Sequence, residues 1–160
     1  MTLRKKIHLL AQSQIGVEEV GTSNCGVMVN AYKSATWLDA THPFPWCAAF
    51  VCWLFREAME GTEFTFIRPK TASAWDFERW CKLQDRSVIL RKPWSGVALP
   101  GDVVIYNFSH IGIIDSISPD KQTLFAIEGN TNDEGSREGG AVLRKARRAS
   151  SVRSVIRVMV

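Results

Sequence analysis

The sequence predicts an α+β fold in which N-terminal helices pack on a C-terminal antiparallel sheet of about five strands. Apolar residues recur at helical spacing through the first half of the chain, and beyond Pro93 the spacing changes to the alternation of strands. With 160 residues, 46% hydrophobic and 22% charged, the chain can bury a core as a single domain over residues 1–160. The same composition excludes disordered and collagen-like proteins.

The first two predicted helices lie before residue 40. The first is amphipathic, with Ile7 and Leu10 facing inward and Ile15 as a further candidate for its inner face. The second begins at a cap provided by Ser23 or Asn24 and runs to about Ala35.

The third predicted helix begins near Cys47, directly after a proline-containing extended stretch, and ends at Gly61. Its residues are apolar on nearly every side, which is typical of a helix buried in the core. Ser73 followed three residues later by Asp76 predicts the start of a fourth helix.

The second half contains five strand-like runs separated by turn residues. Pro100-Gly101 and the stretch from Ser118 to Lys121 are the clearest turns. The predicted strands are residues 102–106, 110–117, 123–128, 142–146 and 152–160. Consecutive strands joined by short turns favour an antiparallel meander.

The N-terminus begins like a signal peptide, with basic residues before an apolar run. His8, Gln12 and Gln14 interrupt that run, and no small-residue cleavage site follows. We therefore expect synthesis in the cytoplasm without a cleaved signal peptide. The longest apolar stretch, Trp46–Phe55, is far shorter than the roughly 20 residues of a membrane span, so no span is expected.

The net charge of +4 is concentrated at the C-terminus. Residues 1–140 hold 14 basic and 16 acidic residues, a net of −2, whereas residues 141–160 hold six basic residues and no acid, a net of +6. Such a segment suits an anionic partner, for example a nucleic acid, a membrane surface or an acidic wall polymer. We favour a solvated strand face, because no nucleic-acid motif accompanies the charge, and we expect no nucleic-acid partner.

Four cysteines show no paired spacing, so neither a disulfide framework nor a zinc ribbon is expected. Cys47 differs from the others by its place at a helix start, where the helix dipole and free N–H groups favour thiolate and could stabilise an oxyanion. The alternative, a small buried apolar side chain, is about equally favoured for Cys47. That alternative is preferred for Cys25, Cys52 and Cys81.

A thiolate nucleophile needs a base, and the chain offers three histidines. His8 lies on a polar helix face and His42 lies in a proline-rich loop, whereas His110 opens a predicted strand. A lone histidine is more often structural than catalytic, so His110 also needs a partner that fixes its tautomer.

The predicted hairpin supplies such a partner, because side chains alternate along each strand. A turn centred on Pro119 pairs His110 with Glu128, and a turn centred on Asp120 pairs it with Asn130; in either register the other of these two residues lies diagonal to His110. A β-bulge would shift the pairing of the two strands by one residue and change these partners. The alternative is that Glu128-Gly129-Asn130 is a turn that ends the strand.

Four motifs in order, Pro45-Trp46-Cys47-Ala48-Ala49-Phe50-Val51, Pro100-Gly101-Asp102-Val103-Val104, Ser109-His110-Ile111-Gly112-Ile113 and Glu128-Gly129-Asn130, resemble the CHAP family. These are cysteine- and histidine-dependent amidohydrolases and peptidases, distantly similar to papain and to NlpC-type cell-wall peptidases. The resemblance covers roughly residues 10–135 and implies a papain-like CHAP fold, with the whole chain as one catalytic domain.

The resemblance also implies cleavage of amide bonds in peptidoglycan, by an amidase or an endopeptidase. Cys47 would be the nucleophile and His110 the base, Glu128 would orient His110, and Asn130 would assist. The backbone N–H of Cys47 would belong to the oxyanion hole, and Gly101-Asp102 matches a family turn that we take as structural. No cofactor is implied.

Tryptophans are candidates for the walls of a substrate groove. We expect Trp46 and Trp94 to line it and Trp53, Trp75 and Trp80 to lie in the core. The chain departs from larger CHAP relatives in having no recognisable wall-binding domain and no acidic calcium-loop motif, so we expect no metal.

The biological setting stays open between a phage lysin and a secreted antibacterial effector, acting in the periplasm or on the cell wall after export or lysis. Peptidoglycan is the expected partner of a monomer, joined by an immunity or inhibitor protein if the chain is an effector. A second hypothesis is a catalytically inactive peptidoglycan-binding or phage-tail structural module. A third, a metal site formed by Cys47, His110 and Glu128, lacks the usual ligand spacing.

Overall fold

The fold confirms the predicted order of helices first and sheet second. The computed structural model describes residues 1–21, 23–90, 96–131 and 139–160. The helices are α1 (Leu3–Ser13), α2 (Val27–Lys33), α3 (Cys47–Met59) and α4 (Asp76–Lys82). The strands are β1 (Ser87–Leu90), β2 (Val103–Tyr106), β3 (Ile111–Ile117), β4 (Thr123–Thr131), β5 (Ala141–Arg148) and β6 (Val152–Val158). Short 3-10 helices span Thr65–Ile67 and Ala149–Ser151.

The strands form one antiparallel sheet in the order β1-β6-β2-β3-β4-β5. The five predicted strands are present, and β2 to β5 form the predicted meander. The strand that the sequence did not predict is β1, a four-residue edge strand that pairs with β6. It is too short and too exposed to show a clear alternation.

Helix α3 is the centre of the core, as its all-round apolar character predicted. Every residue from Cys47 to Phe55 is buried, and the helix packs on the face of the sheet that carries Ile111, Ile113 and Ile127. Each large side chain buried here contributes about 1.5–3 kcal/mol. This packing fixes the start of α3 against the middle of the sheet.

Helix α1 packs on α3 and confirms most of the predicted inner face. Ile7 is buried and Leu10 packs partly buried against the core. Ile15 is 43% exposed, so its assignment to the inner face was wrong, because α1 ends at Ser13 and the chain turns away. No helix in the described part of the chain is long and apolar enough to cross a membrane.

Two predicted helix caps are wrong. Helix α2 begins after Gly26, whose φ of 137° few other residues adopt, rather than after Ser23 or Asn24. Helix α4 begins after Trp75, because Ser73 is engaged in the preceding turn, where its N–H donates to the Thr71 hydroxyl.

The basic C-terminal segment forms β5 and β6, and its arginines pair with carboxylates from earlier in the chain. The pairs are Arg144–Asp115, Arg147–Glu128, Arg153–Glu78 and Arg157–Asp102, with N···O distances of 2.5–3.0 Å. The expectation of a merely solvated strand face is therefore corrected, since four of its six charges hold β5 and β6 to the rest of the fold.

Candidate active site

Cys47 is the first residue of α3 and lies where the sequence predicted it. The carbonyl of Trp46 accepts the first helical hydrogen bond, from the N–H of Phe50 at 2.8 Å. The N–H groups of the first turn have no partner within the helix, and the positive end of the helix dipole lies beside the sulfur. Cys47 is buried, with 6% of its surface exposed.

The other cysteines differ in their surroundings. All four thiols are free, as expected. Cys52 and Cys81 are buried small side chains, and burial raises the pKa of both thiols. Cys25 is half-exposed and donates to the Ser23 carbonyl at 3.2 Å, so it is not the buried residue that we expected.

The structure brings His110 to Cys47. His110 immediately precedes β3 and is fully buried, and its ring stacks on those of Tyr106 and Phe108, with centroids 6.0 and 5.8 Å away. Cys47 is near enough to this ring to raise the pKa of His110. No described residue forms a hydrogen bond with His110 Nδ1, so the sulfur and the imidazole are neighbours without an aligned hydrogen bond. Such bonds are often long before substrate binds.

Glu128 holds the other side of the imidazole. The distance from His110 Nε2 to Glu128 Oε2 is 2.9 Å, and both side chains are fully buried. Burial alone lowers the pKa of His110, but the hydrogen bonds and charges of Cys47 and Glu128 outweigh it and raise the pKa to about 9. The imidazolium is therefore the favoured form at neutral pH.

Two residues that the sequence did not predict complete the surroundings of Glu128. Tyr106 OH donates to Oε1 at 2.7 Å, and Arg147 donates from Nε to Oε1 at 2.9 Å and from Nη2 to Oε2. Burial pushes the pKa of Glu128 upward, but the bonds from Arg147 and His110 outweigh it and hold the pKa below its usual value. Glu128 is thus a buried carboxylate.

The hairpin register explains how His110 meets Glu128. Near the site the register pairs Ile114 with Ala126, which corresponds to the turn centred on Asp120, and a bulge follows directly. In this register Glu128 lies across from Gly112 and diagonally from His110. A Cβ at Gly112 would lie 2.8 Å from Glu128 Cγ, so the glycine leaves room for the carboxylate side chain. Of the two registers that the sequence left open, the one centred on Asp120 is observed, with Glu128 diagonal to His110, and the one that pairs them directly is not.

The remaining predicted site residues lie in different surroundings. Asn130 is buried near the end of β4 with a φ of 56°, which asparagine tolerates, and its carbonyl accepts from the Gly139 N–H at 3.0 Å. Its assisting role stays a prediction. Trp46 is fully buried, stacks on Tyr32 at 5.6 Å and donates to Glu19 Oε2 at 3.3 Å. The prediction that Trp46 lines an open groove is therefore wrong.

The other tryptophans give a mixed result. Trp94 lies outside the described residues. Trp53 is buried and Trp80 packs partly buried against the core, as predicted. Trp75 is 42% exposed, contrary to prediction: its Nε1 donates to the Tyr106 carbonyl at 3.1 Å, and the Arg153 guanidinium lies 4.9 Å from its ring centre.

A cleft of about 320 Å³ lies beside the end of β4 and has acidic walls. Glu18 and Glu19 line one side, and Thr131, one residue beyond Asn130, lines the other. Glu19 also contacts Trp46, the neighbour of Cys47 in the chain. Within the described ranges, no three His, Cys, Asp or Glu side chains are grouped to hold a metal ion.

Comparison with known proteins identifies the fold. No family model matches the chain, and no curated protein matches it in sequence. Among solved structures, the wild-type endolysin LysIME-EF1 is similar, with a TM-score of 0.58 and 16% sequence identity. The match covers 99% of this chain and 65% of the endolysin chain, so the chain spans about two thirds of that protein's length. At this identity the likeness shows a shared fold.

Proposed function

We propose that this protein is a peptidoglycan hydrolase that cleaves an amide bond with Cys47 as its nucleophile. The observation that carries the proposal is the line of three side chains Cys47, His110 and Glu128, with the sulfur at the start of a buried helix. A nucleophile, a base and a group that orients the base form a recurring arrangement for acyl transfer.

The chemistry follows from the position of each group. The reactive pair is the Cys47 thiolate beside the His110 imidazolium, which already holds the proton of the thiol on Nδ1, and the thiolate attacks the carbonyl carbon of the amide. Backbone N–H groups at the start of α3 stabilise the oxyanion. The amide C–N bond then breaks as the His110 imidazolium protonates the leaving amine, which gives a thioester on Cys47.

Water completes the cycle. The neutral imidazole of His110 takes a proton from a water molecule, whose oxygen attacks the thioester carbonyl. The C–S bond breaks, the acid product leaves, and the sulfur is again paired with imidazolium. Glu128 keeps a proton on Nε2 throughout, which leaves Nδ1 for the exchange with Cys47.

Peptidoglycan is proposed as the substrate from two sources. The motifs around Cys47, His110 and Glu128 resemble those of the CHAP family, and the fold is shared with an endolysin. The bond is either the sugar-to-peptide amide or a bond within the peptides, and the setting is a phage lysin or a secreted antibacterial effector that acts on the cell wall. In the second setting an immunity protein is a further partner.

The test is mass spectrometry of fragments released from purified peptidoglycan. The wild type should release fragments whose new termini identify the bond, and Cys47→Ala should release none while keeping its fold. Cys25→Ala is the matched control, because Cys25 is half-exposed and bonds only to its own loop among the contacts seen here. Normal lysis by Cys47→Ala would end the proposal, and wild-type binding without fragments would favour an inactive module.

A further inference from the structure

The carboxylate of Glu128 has a partner with no part in the chemistry above. Arg147 lies on β5 opposite Leu124 of β4, four residues from Glu128 along that strand. The intervening residue on that face is Ala126, whose small side chain leaves a path along the strand. The guanidinium follows this path and reaches both carboxylate oxygens.

Arg147 is held in place from several sides. Its side chain is 13% exposed, and its guanidinium carbon lies 5.3 Å from the centre of the Tyr106 ring and 5.1 Å from that of Phe108. Both rings also stack on the His110 ring. Two aromatic rings and a two-pronged carboxylate contact therefore restrict the guanidinium to one orientation.

The geometry points to Arg147 as a positioning residue that keeps Glu128 ionised and oriented towards His110. This role of Arg147 depends on the proposed function only in the activity assay. Within the described part of the chain, the hydrogen-bond partners of Glu128 are donors: the Tyr106 hydroxyl, the Nε and Nη2 groups of the Arg147 guanidinium, and His110 Nε2. A carboxylate can accept from all of them, whereas the O–H of a protonated carboxyl could be accepted only by the Tyr106 hydroxyl, which would then give up the bond that it donates to Glu128.

Burial makes the cation necessary. A carboxyl group without exposed surface takes up a proton unless a nearby cation and hydrogen bonds stabilise its charge. Among the groups that stabilise the Glu128 charge, the Arg147 hydrogen bond comes first, ahead of His110. Without Arg147, burial should dominate and Glu128 should become neutral. His110 would then lose the charge that stabilises its imidazolium.

The test is nitrogen NMR of histidine-labelled protein, which reports the pKa and the tautomer of His110 whether or not the protein is active. In Arg147→Met we expect the pKa of His110 to fall by at least about one unit and the proton on Nε2 to be less favoured. Arg144→Met is the matched control: it lies on the same strand, pairs with Asp115 at 2.6 Å and stacks on Phe125. We expect it to leave His110 unchanged.

A second background guards against a variant that fails to fold. In Glu128→Gln the buried charge is already absent, so adding Arg147→Met should not lower the pKa of His110 further and should restore stability. A further fall in that background would show that Arg147 acts by another route. An unchanged or raised pKa in Arg147→Met alone would show that Glu128 stays ionised without it, and either result overturns the proposal.

Activity gives an independent readout. If the protein releases peptidoglycan fragments, Arg147→Met should lower kcat by about tenfold or more, with KM little changed, and shift the basic limb of the pH profile to lower pH. An equal loss of activity at every pH would indicate a merely structural role and contradict the proposal. A wild type without activity would sink the proposed function, and the NMR result would still decide the role of Arg147.

Discussion

Replacing Glu128 by glutamine tests the site at its most buried contact. Glutamine keeps the shape of glutamate but replaces one acceptor oxygen by an NH2 group. Each carboxylate oxygen receives at least two donors here, so either orientation of the amide sets donor against donor. If the NH2 group faces His110, the ring can relieve the conflict by moving its proton from Nε2 to Nδ1. That tautomer cannot take the proton of Cys47.

The size of the effect follows from the pKa of His110. With a pKa of about 9, roughly nine-tenths of the ring is imidazolium at pH 8. Loss of the Glu128 charge should remove about 1–3 pKa units, and a fall of about two units leaves roughly one-tenth. Together with the wrong tautomer, we expect kcat to fall by about 10²- to 10⁴-fold.

The assay is the pH dependence of kcat/KM for fragment release, with the basic limb moved to lower pH in Glu128→Gln. The matched control is Glu78→Gln, because Glu78 is also a buried carboxylate with an arginine and a hydroxyl as partners, Arg153 at 3.0 Å and Ser154 at 2.7 Å. Breaking a buried pair costs about 3–5 kcal/mol, so thermal unfolding must accompany both variants. A folded Glu128→Gln with wild-type kcat and an unmoved basic limb would refute the reasoning.

Three further predictions follow from the packing and charges of the same region. Gly129→Ala places a Cβ 2.8 Å from Phe50 Cβ and 2.9 Å from Trp46 Cζ3. The substitution should therefore lower the free energy of unfolding by about 1–3 kcal/mol and lower Tm. An unchanged Tm would contradict the close packing of α3 on β4. The pKa of His110 rises from 6.5 to about 9 on folding, so the protonated ring stabilises the fold fully below pH 6.5, and this stabilisation is lost as pH rises to about 9. In urea unfolding, the free energy of unfolding of the wild type should fall by up to about 3 kcal/mol over this range, and that of His110→Ala should fall by less. An equal fall in both proteins would contradict the prediction. At pH 6, iodoacetamide should modify Cys47 before the other cysteines, because Cys47 lies at a helix start beside His110 whereas burial raises the pKa of the Cys52 and Cys81 thiols; faster labelling elsewhere would count against an activated sulfur.

The sequence predicted the fold where periodicity was strong and long. The apolar run of α3 and the alternation of β2 to β6 identified the layers, because burial imposes those patterns whatever the neighbours are. The edge strand β1 was missed, since four half-buried residues carry little pattern. The predicted helix caps were wrong for another reason. Ser73 takes part in a local turn instead of capping α4, and the sequence alone does not distinguish a turn from a cap at such a residue.

The site was predicted as far as neighbouring strands allow. The alternation of side chains along two paired strands predicted a carboxylate near His110, and the short turn between the strands limited their register to two choices. The bulge after Ile114 could not be predicted from the sequence. Because of it, the strand pairing beside the turn is offset by one residue from the pairing beside the site. Arg147 was missed because the long connection before β5 leaves its register on β4 undetermined by sequence. Trp46 was misplaced because an aromatic residue beside a nucleophile suits a groove wall and a core equally well.

The central claim is that the sulfur of Cys47 and the imidazole of His110 are in contact although 63 positions separate them in the chain. A short bifunctional alkylating reagent, 1,3-dibromoacetone, tests this directly, because it joins a thiol and an imidazole only when they are neighbours. Peptide mapping near pH 9 should find one linked pair, with Cys47 and His110 as its ends. Attachment of Cys47 to any other residue, or modification at the sulfur alone, would contradict the account.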